Sequence, residues 1–159
     1  MIRAIFACDE EWGIGKDGDL PWPKNPADLK WFQQCTVGSV VVMGRRTWDS
    51  LPNKPLPNRN NVIITSEENP TYGPYHFIQY TSYKSTAKQM SQLQPVWIIG
   101  GSRLLESSFD IVEEIWLSRI AGTYSCDTYL PRDIIKMCYT CYETEQTDGG
   151  LTIEKWRKN

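Results

Sequence analysis

Twice in this chain an apolar, largely β-branched run ends in glycine and passes at once into a helix start carrying arginine. The two stretches are Val40-Val41-Val42-Met43-Gly44-Arg45-Arg46-Thr47 and Val96-Trp97-Ile98-Ile99-Gly100-Gly101-Ser102-Arg103. Unbroken apolar runs of this kind belong to strands covered on both faces, which in a strand–helix alternation means a largely parallel sheet. Strands are expected at about 2–8, 39–43, 61–65, 75–79, 96–99, 112–120, 137–144 and 150–157. Four helices are expected, at 26–35, 45–51, 84–93 and 101–108. The first has Asn25 as N-cap and Pro26 at the first helical position, each the residue type that place favours. The third carries Tyr83, Ala87, Met90 and Leu93 on one face. Alternation stops after residue 108, so the sheet should finish in an antiparallel portion. The 159 residues amount to one domain, with no internal repeat and no interdomain linker.

Several function classes fall away on composition. Net charge is −2, so no basic field advertises a nucleic-acid or membrane surface. No apolar run approaches the ~20 residues that span a bilayer. The start, Met1 to Asp9, reads as a strand opening the fold rather than a signal peptide. Five scattered cysteines, an odd number, argue for reduced thiols and a cytoplasmic setting. The single histidine, His76, excludes histidine-rich metal sites and reads as a surface or strand residue. Asn69-Pro70-Thr71 is blocked as a glycosylation site by its proline. Cys138-Tyr139-Thr140-Cys141 resembles a metal or redox pair, but within one strand positions i and i+3 face opposite sides. No metal site is expected.

Gly13-Ile14-Gly15-Lys16-Asp17-Gly18 has the spacing of a dinucleotide fingerprint without its setting. Asp9-Glu10-Glu11 separates it from the preceding strand, and Pro21 and Pro23 forbid the helix that would meet a pyrophosphate. Residues 9–24 read instead as a loop, either a lid over a site or a mobile connection. The better phosphate pattern lies at the two strand–glycine–arginine junctions. Arginines in a first helical turn oppose the helix dipole, and a bound anion reverses that sign. Thr65 and Ser66 add two hydroxyls at a third strand end, and ligands of open α/β sheets gather at carboxyl ends of strands. Together these point to a ligand with several phosphates.

One acid stands in apolar company. Asp28 lies one helical turn before Phe32 and close in sequence to Trp22. A carboxylate there could pair with a planar, cationic nitrogen heterocycle. Equally, Asp28 occupies the third position of its helix, where a carboxylate is favourable without any ligand. The residues alone leave both readings open.

Taken in order, these segments resemble the dihydrofolate reductases of bacterial or phage size, essentially from end to end. The resemblance rests on Ala7, Ile14-Gly15, Leu20-Pro21-Trp22, Pro26-Ala27-Asp28-Leu29 with Trp31-Phe32, and Val42-Met43-Gly44-Arg45 with Thr47-Trp48. Leu56-Pro57-Asn58-Arg59, Ile99-Gly100-Gly101 and Asp127-Thr128-Tyr129-Leu130-Pro131 complete it. It implies an α/β fold: a mixed sheet of about eight strands, mostly parallel with an antiparallel C-terminal portion, flanked by four helices. Within that single domain, about 39–93 would form an adenosine-binding subdomain. The implied activity is reduction of 7,8-dihydrofolate with NADPH, by hydride transfer to pterin C6 and protonation of N5.

The resemblance also implies roles for individual residues. Asp28 would hold the pterin ring nitrogen and amino group, Ser118 would bond that carboxylate, and Trp22 would complete the catalytic set. Ile5, Ala7, Leu29, Phe32, Leu51 and Leu56 would line the pterin and benzoyl pocket, and Arg59 would pair with the glutamate carboxylate. Gly44, Arg45, Arg46, Thr47, Thr65, Ser66 and Arg103 would hold the cofactor, with the phosphates on the arginines and hydroxyls. Ile99, Gly100, Gly101, Ser102 and Leu104 would line its path, as would Ala7, Ile14, Gly15 and Leu20 from the other segments. A cis peptide is implied at Gly100-Gly101, and residues 9–24 become the loop that closes on the nicotinamide. Two departures stand out: Leu105 where relatives often have an aromatic residue, and Arg46 where many have histidine. The partners implied are the substrate and antifolate inhibitors, with no nucleic acid or membrane, acting on a cytoplasmic monomer. Two rival readings are an idle binding module and an NADPH reductase of another pterin or pyrimidine.

Overall fold

The computed structural model describes residues 1–66, 76–147 and 149–159. In chain order its elements are β1 (Ile2–Cys8), β2 (Gly13–Gly15), α1 (Pro26–Thr36), β3 (Val40–Gly44), α2 (Arg45–Ser50), β4 (Asn60–Thr65), β5 (His76–Gln79) and α3 (Tyr83–Met90). There follow β6 (Val96–Gly100), α4 (Ser102–Ser107), β7 (Glu114–Arg119), β8 (Thr128–Tyr129), α5 (Arg132–Cys138), β9 (Tyr139–Gln146) and β10 (Thr152–Lys158). Eight strands form one mixed sheet in the order β5-β4-β3-β6-β1-β7-β10-β9. Pairing is parallel from β5 through to β1 and antiparallel for β7-β10-β9. The mixed, mostly parallel sheet expected from the alternation is therefore the one observed. The turn before His76 and the Asn69-Pro70-Thr71 triplet lie outside the described residues.

The chain divides into two compact units. The first comprises Met1–Ala4 and Thr36–Val112, and so contains all of residues 39–93. Val40 to Met43 are each at most 1% exposed, as a strand covered on both faces requires. They are in register with Asn60–Ile63 of β4 and, through Val42, with Ile98 of β6. On α3 only Tyr83 and Ala87 are buried; the Tyr83 hydroxyl lies 2.7 Å from Ser107 Oγ and 2.9 Å from Ser108 Oγ. The expected apolar face through Leu93 is cut short, because α3 ends at Met90 and Leu93 is 88% exposed.

The second unit comprises Ile5–Cys35 and Glu113–Asn159. Its core joins Trp22, Ile120, Leu151 and Ile153, with Ala7, Ala27, Trp31 and Tyr124 packed against them. Trp31 stacks on Trp116 at 6.0 Å, and the Lys155 ammonium covers Trp116 at 4.2 Å. Three short elements escape the sequence reading. The strands β2 and β8 pair as a separate antiparallel ribbon, Gly13 opposite Tyr129 and Gly15 opposite Thr128. The fifth helix, α5, buries only Ile135, so it has no apolar period to read. It also corrects the strand expected from 137. Cys138 ends α5 while Cys141 lies in β9, so the pair does not share one strand.

Candidate active site

The acid in α1 is the natural starting point. Asn25 caps the helix, its Oδ1 accepting the Asp28 N–H at 3.1 Å, and its carbonyl accepts the Leu29 N–H at 3.1 Å. That cap places the Asp28 side chain on the first turn of α1, half-buried and beside Phe32 of the same face. Burial pushes its carboxyl above the ordinary value, and a hydrogen bond from the Ser118 hydroxyl draws it partly back. Ser118 is 1% exposed on β7, opposite Ile153 of β10, so its hydroxyl is fixed by the sheet register. A half-buried carboxylate holding one hydroxyl, with acceptor capacity left over, suits a planar donor such as an aminated nitrogen heterocycle. Of the two readings the residues left open, this environment goes beyond a helix-start acid, which needs no burial and no hydroxyl partner.

The same unit supplies the apolar surroundings. Trp22 is 5% exposed and lies edge-on to Tyr124 at 6.0 Å, within the cluster that also contains Ala7 and Ala27. Ile5 is 2% exposed, and Ala7 and Phe32 are half-buried. Leu20 and Leu29 are 56% and 46% exposed. Two cavities of about 400 and 340 Å³ lie in this unit, both touching Ala27, and neither is lined by Asp28. Asp28 is set apart by its burial and its hydroxyl partner, not by a cavity around it.

The loop at 9–24 is tied at its base. Asp9, only a spacer in the sequence reading, is 1% exposed and accepts hydrogen bonds from the Glu11, Gly13 and Tyr124 N–H groups and from the Cys126 thiol. Further on, Asp17 N–H donates to Asp127 Oδ2 at 2.9 Å, and Asp127 N–H donates to Gly15 O at 2.9 Å. Gly13 to Gly15 form a ribbon strand rather than a phosphate turn, as their poor setting for a dinucleotide fingerprint requires. Ile14 and Gly15 are half-buried.

The arginines of the two strand–glycine junctions lie in the first unit. Arg45, Arg46 and Arg103 are exposed, and Arg45 meets Asp49 at 3.3 Å one helical turn on. Neither α2 nor α4 has a side-chain cap at its start, where Gly44 and Gly101 stand as N-caps. Gly100-Gly101 is a cis peptide, and the backbone comes so close to Thr47 that a Cβ on Gly100 would lie 2.9 Å from its Oγ1. Of the two hydroxyls at the end of β4, Thr65 is buried and Ser66 exposed. Ile99 and Ser102 are half-buried, and Leu104 is 7% exposed. Leu105 is wholly buried, so its side chain belongs to the core of this unit.

Arg59 is also in this unit. Its Nε donates to Pro57 O at 2.9 Å and its Nη1 to Thr36 Oγ1 at 3.0 Å, so the guanidinium is held from behind. Burial lowers its pKa from a very high ordinary value, without discharging it. Leu51 and Leu56 are half-buried in the same unit. Thr36, fully buried, is a partner that the sequence offered no reason to single out. Among the described residues no three His, Cys, Asp or Glu side chains are grouped to hold a metal ion. No helix among them is long and apolar enough to cross a membrane.

Comparison with known proteins bears on all of this. The family model described as dihydrofolate reductase matches residues 1–152. The dihydrofolate reductase of Bacillus subtilis is 34% identical over 131 residues, 82% of this chain and 76% of that protein. A bifunctional dihydrofolate reductase-thymidylate synthase of Glycine max is 31% identical over 147 residues, covering 81% of this chain; the chain spans 28% of that longer protein. In structure, the chain is similar to dihydrofolate reductase from Enterococcus faecalis, complexed with NADP(H) and RAB-propyl. The TM-score is 0.85 at 27% identity, covering 100% of this chain and 96% of the other.

Proposed function

This chain belongs to the dihydrofolate reductase family, and on that premise we propose that it reduces 7,8-dihydrofolate to 5,6,7,8-tetrahydrofolate with NADPH. The observation that carries the reading is Asp28: a half-buried carboxylate raised by burial, bonded to Ser118 and one helical turn before Phe32. Such an acid binds the pterin amino group and ring nitrogen with two donors facing one acceptor pair.

The first unit suits a phosphate-bearing cofactor. Exposed Arg45, Arg46 and Arg103 lie at uncapped helix starts, and the Gly100-Gly101 backbone leaves a side-chain-free approach beside Thr47. We assign the phosphates to these arginines with Thr47, Thr65 and Ser66, and the adenosine end to the stretch at 39–93. An arginine and hydroxyl cluster at a 2′-phosphate favours NADPH over NADH. Bound NADPH supplies the hydride that reaches pterin C6. The protein supplies alignment and electrostatics. Asp28 holds the heterocycle and stabilises positive charge on it, so that N5 takes a proton from water rather than from the carboxyl itself. Trp22 and Leu20 exclude bulk water, and Arg59 grips the glutamate carboxylate in a two-pronged contact that lysine lacks. Five free thiols agree with a reducing, cytoplasmic setting, and the protein is assigned as a monomer.

The test is the loss of NADPH absorbance on adding dihydrofolate, beside an Asp28→Asn control and an NADH comparison. Turnover with NADPH that collapses in the variant supports the enzyme, the acid and the cofactor choice together. NADPH binding without turnover would favour an idle module, and turnover only of a pterin lacking the glutamate tail would favour a different reductase.

A further inference from the structure

Asp9 has no part in the chemistry above, yet its buried carboxylate accepts four hydrogen bonds. It is 1% exposed at the end of the first sheet strand. One oxygen accepts the Glu11 and Gly13 N–H groups at 2.9 and 2.8 Å; the other accepts the Tyr124 N–H at 3.2 Å and the Cys126 thiol at 3.4 Å. Two donors come from its own loop and two from a segment 115 to 117 positions later. Only an ionised carboxylate accepts from four donors without offering one in return. Burial alone would raise its pKa, but the four bonds outweigh burial and hold it below the ordinary value.

The backbone closes around this carboxylate. Asp9 N–H donates to Gly13 O at 2.9 Å, Trp12 N–H donates to Asp9 O at 3.1 Å, and Trp12 sits at φ 68° in the left-handed region. A bulky residue stays there only when its surroundings over-determine it. The two segments also touch directly: a Cβ on Gly13 would lie 2.3 Å from Cys126 Sγ. From this anchor the chain runs through the ribbon at Gly13–Gly15 and on to Leu20 and Trp22.

We infer that Asp9 is a positioning residue for the reduction, setting where residues 10–22 run by bonding two distant segments at once. The inference rests on the reading that Leu20 and Trp22 serve the pterin site. The full chain carrying Asp9→Asn tests it, since the amide turns a donor toward groups that are themselves donors. Hydride transfer in a single turnover, followed with deuterated NADPH, slows about 10- to 100-fold when reacting groups lose alignment. The NADPH dissociation constant moves much less than the hydride step, because the phosphate contacts assigned to Arg45, Arg46 and Arg103 do not depend on this loop. Without any cofactor present, the Glu11, Gly13 and Tyr124 amides exchange faster in the variant while those of β7 and β10 do not.

A merely structural residue would lower the melting temperature and leave the hydride step unchanged well below it; that result overturns the inference. Should Asp9→Asn fold poorly, Gly13→Ala displaces the same contact with the carboxylate intact. It slows the hydride step. A silent Gly13→Ala also overturns the inference. A native chain that turns over no dihydrofolate, but whose amides respond to Asp9→Asn as described, removes the functional reading and leaves the anchor standing.

Discussion

The two units handle charge in opposite ways. In the first, Arg45, Arg46 and Arg103 stand at the surface over a backbone stripped of side chains at Gly44, Gly100 and Gly101. In the second, beside a buried Glu114, two acids make the contrast: Asp9, buried with four hydrogen-bond donors, and Asp28, half-buried with the Ser118 hydroxyl. Exposed cations need no precise partner, because they already exchange water for any anion of suitable reach; they supply affinity that salt weakens. A withdrawn acid with unused acceptors is costly on its own and becomes favourable only with a matching donor, so it supplies selectivity and catalysis. The contrast between Asp9 and Asp28 sharpens the point. Their pKa values move in opposite directions because four hydrogen bonds outweigh burial at Asp9, while burial outweighs the single Ser118 bond at Asp28.

The largest effect that could break this division is on turnover. Asp28→Asn lowers kcat for dihydrofolate by about 10²- to 10⁴-fold, the usual range for an acid–base group, while the NADPH dissociation constant holds. Equal losses in both would mean that Asp28 is a structural acid and that the units do not divide the work. Next in size, the double variant Arg45→Ala/Arg46→Ala weakens NADPH by about 10- to 100-fold, the worth of one or two charge-assisted bonds. Its kcat at saturating cofactor is retained, and the salt dependence of NADPH binding flattens; a salt slope equal to the native one contradicts phosphate contact there. A smaller effect is expected from Arg59→Lys, which raises the KM for dihydrofolate about tenfold by removing the fork that meets a carboxylate. A pterin without the glutamate tail reports no difference between the two proteins if Arg59 serves that tail.

The smallest effect is on stability, and its sign separates the two acids. The Asp28 carboxyl is raised in the fold, so its contribution favours folding below the unfolded pKa and is lost as pH rises through the folded value. At neutral pH it therefore destabilises the ligand-free protein. Asp28→Asn melts higher than the native chain at pH 7, by about 2–4 °C per kcal/mol relieved in a protein of this size, and the gap closes on acidification. Asp9 behaves in the reverse sense: its depressed carboxyl contributes above the unfolded pKa and loses that contribution as pH falls through the folded value. Calorimetry from pH 7 down to 3 that gave both variants the same sign would end the contrast.

Legibility in the sequence followed the length of each pattern. Val40 to Met43 and Val96 to Ile98 announce buried parallel strands because every position is apolar, and the eight long strands stand where those runs lie. The Asn25–Pro26 start of α1 was equally plain, since capping is a matter of neighbours in sequence. The strands β2 and β8, of three and two residues, and the helix α5, with one buried side chain, are too short or too little buried to carry a period. Cys138 shows the consequence: read as part of a strand, it is the last residue of that helix.

Neighbours in sequence were enough for the longer local choices: where the buried strands and α1 begin, which ends carry glycine and arginine, and that Asp28 lies near Trp22 and Phe32. Those choices depend on side-chain shape, backbone freedom and spacing within a turn or two, all of which neighbours decide. Only the tertiary structure decided which acid is satisfied and which is not. Asp9 meets Tyr124 and Cys126 from far along the chain, whereas Asp28 meets burial and the Ser118 hydroxyl. Burial and hydrogen bonding between distant segments set the free energy of a charge, and neither is written at the position of the charge itself.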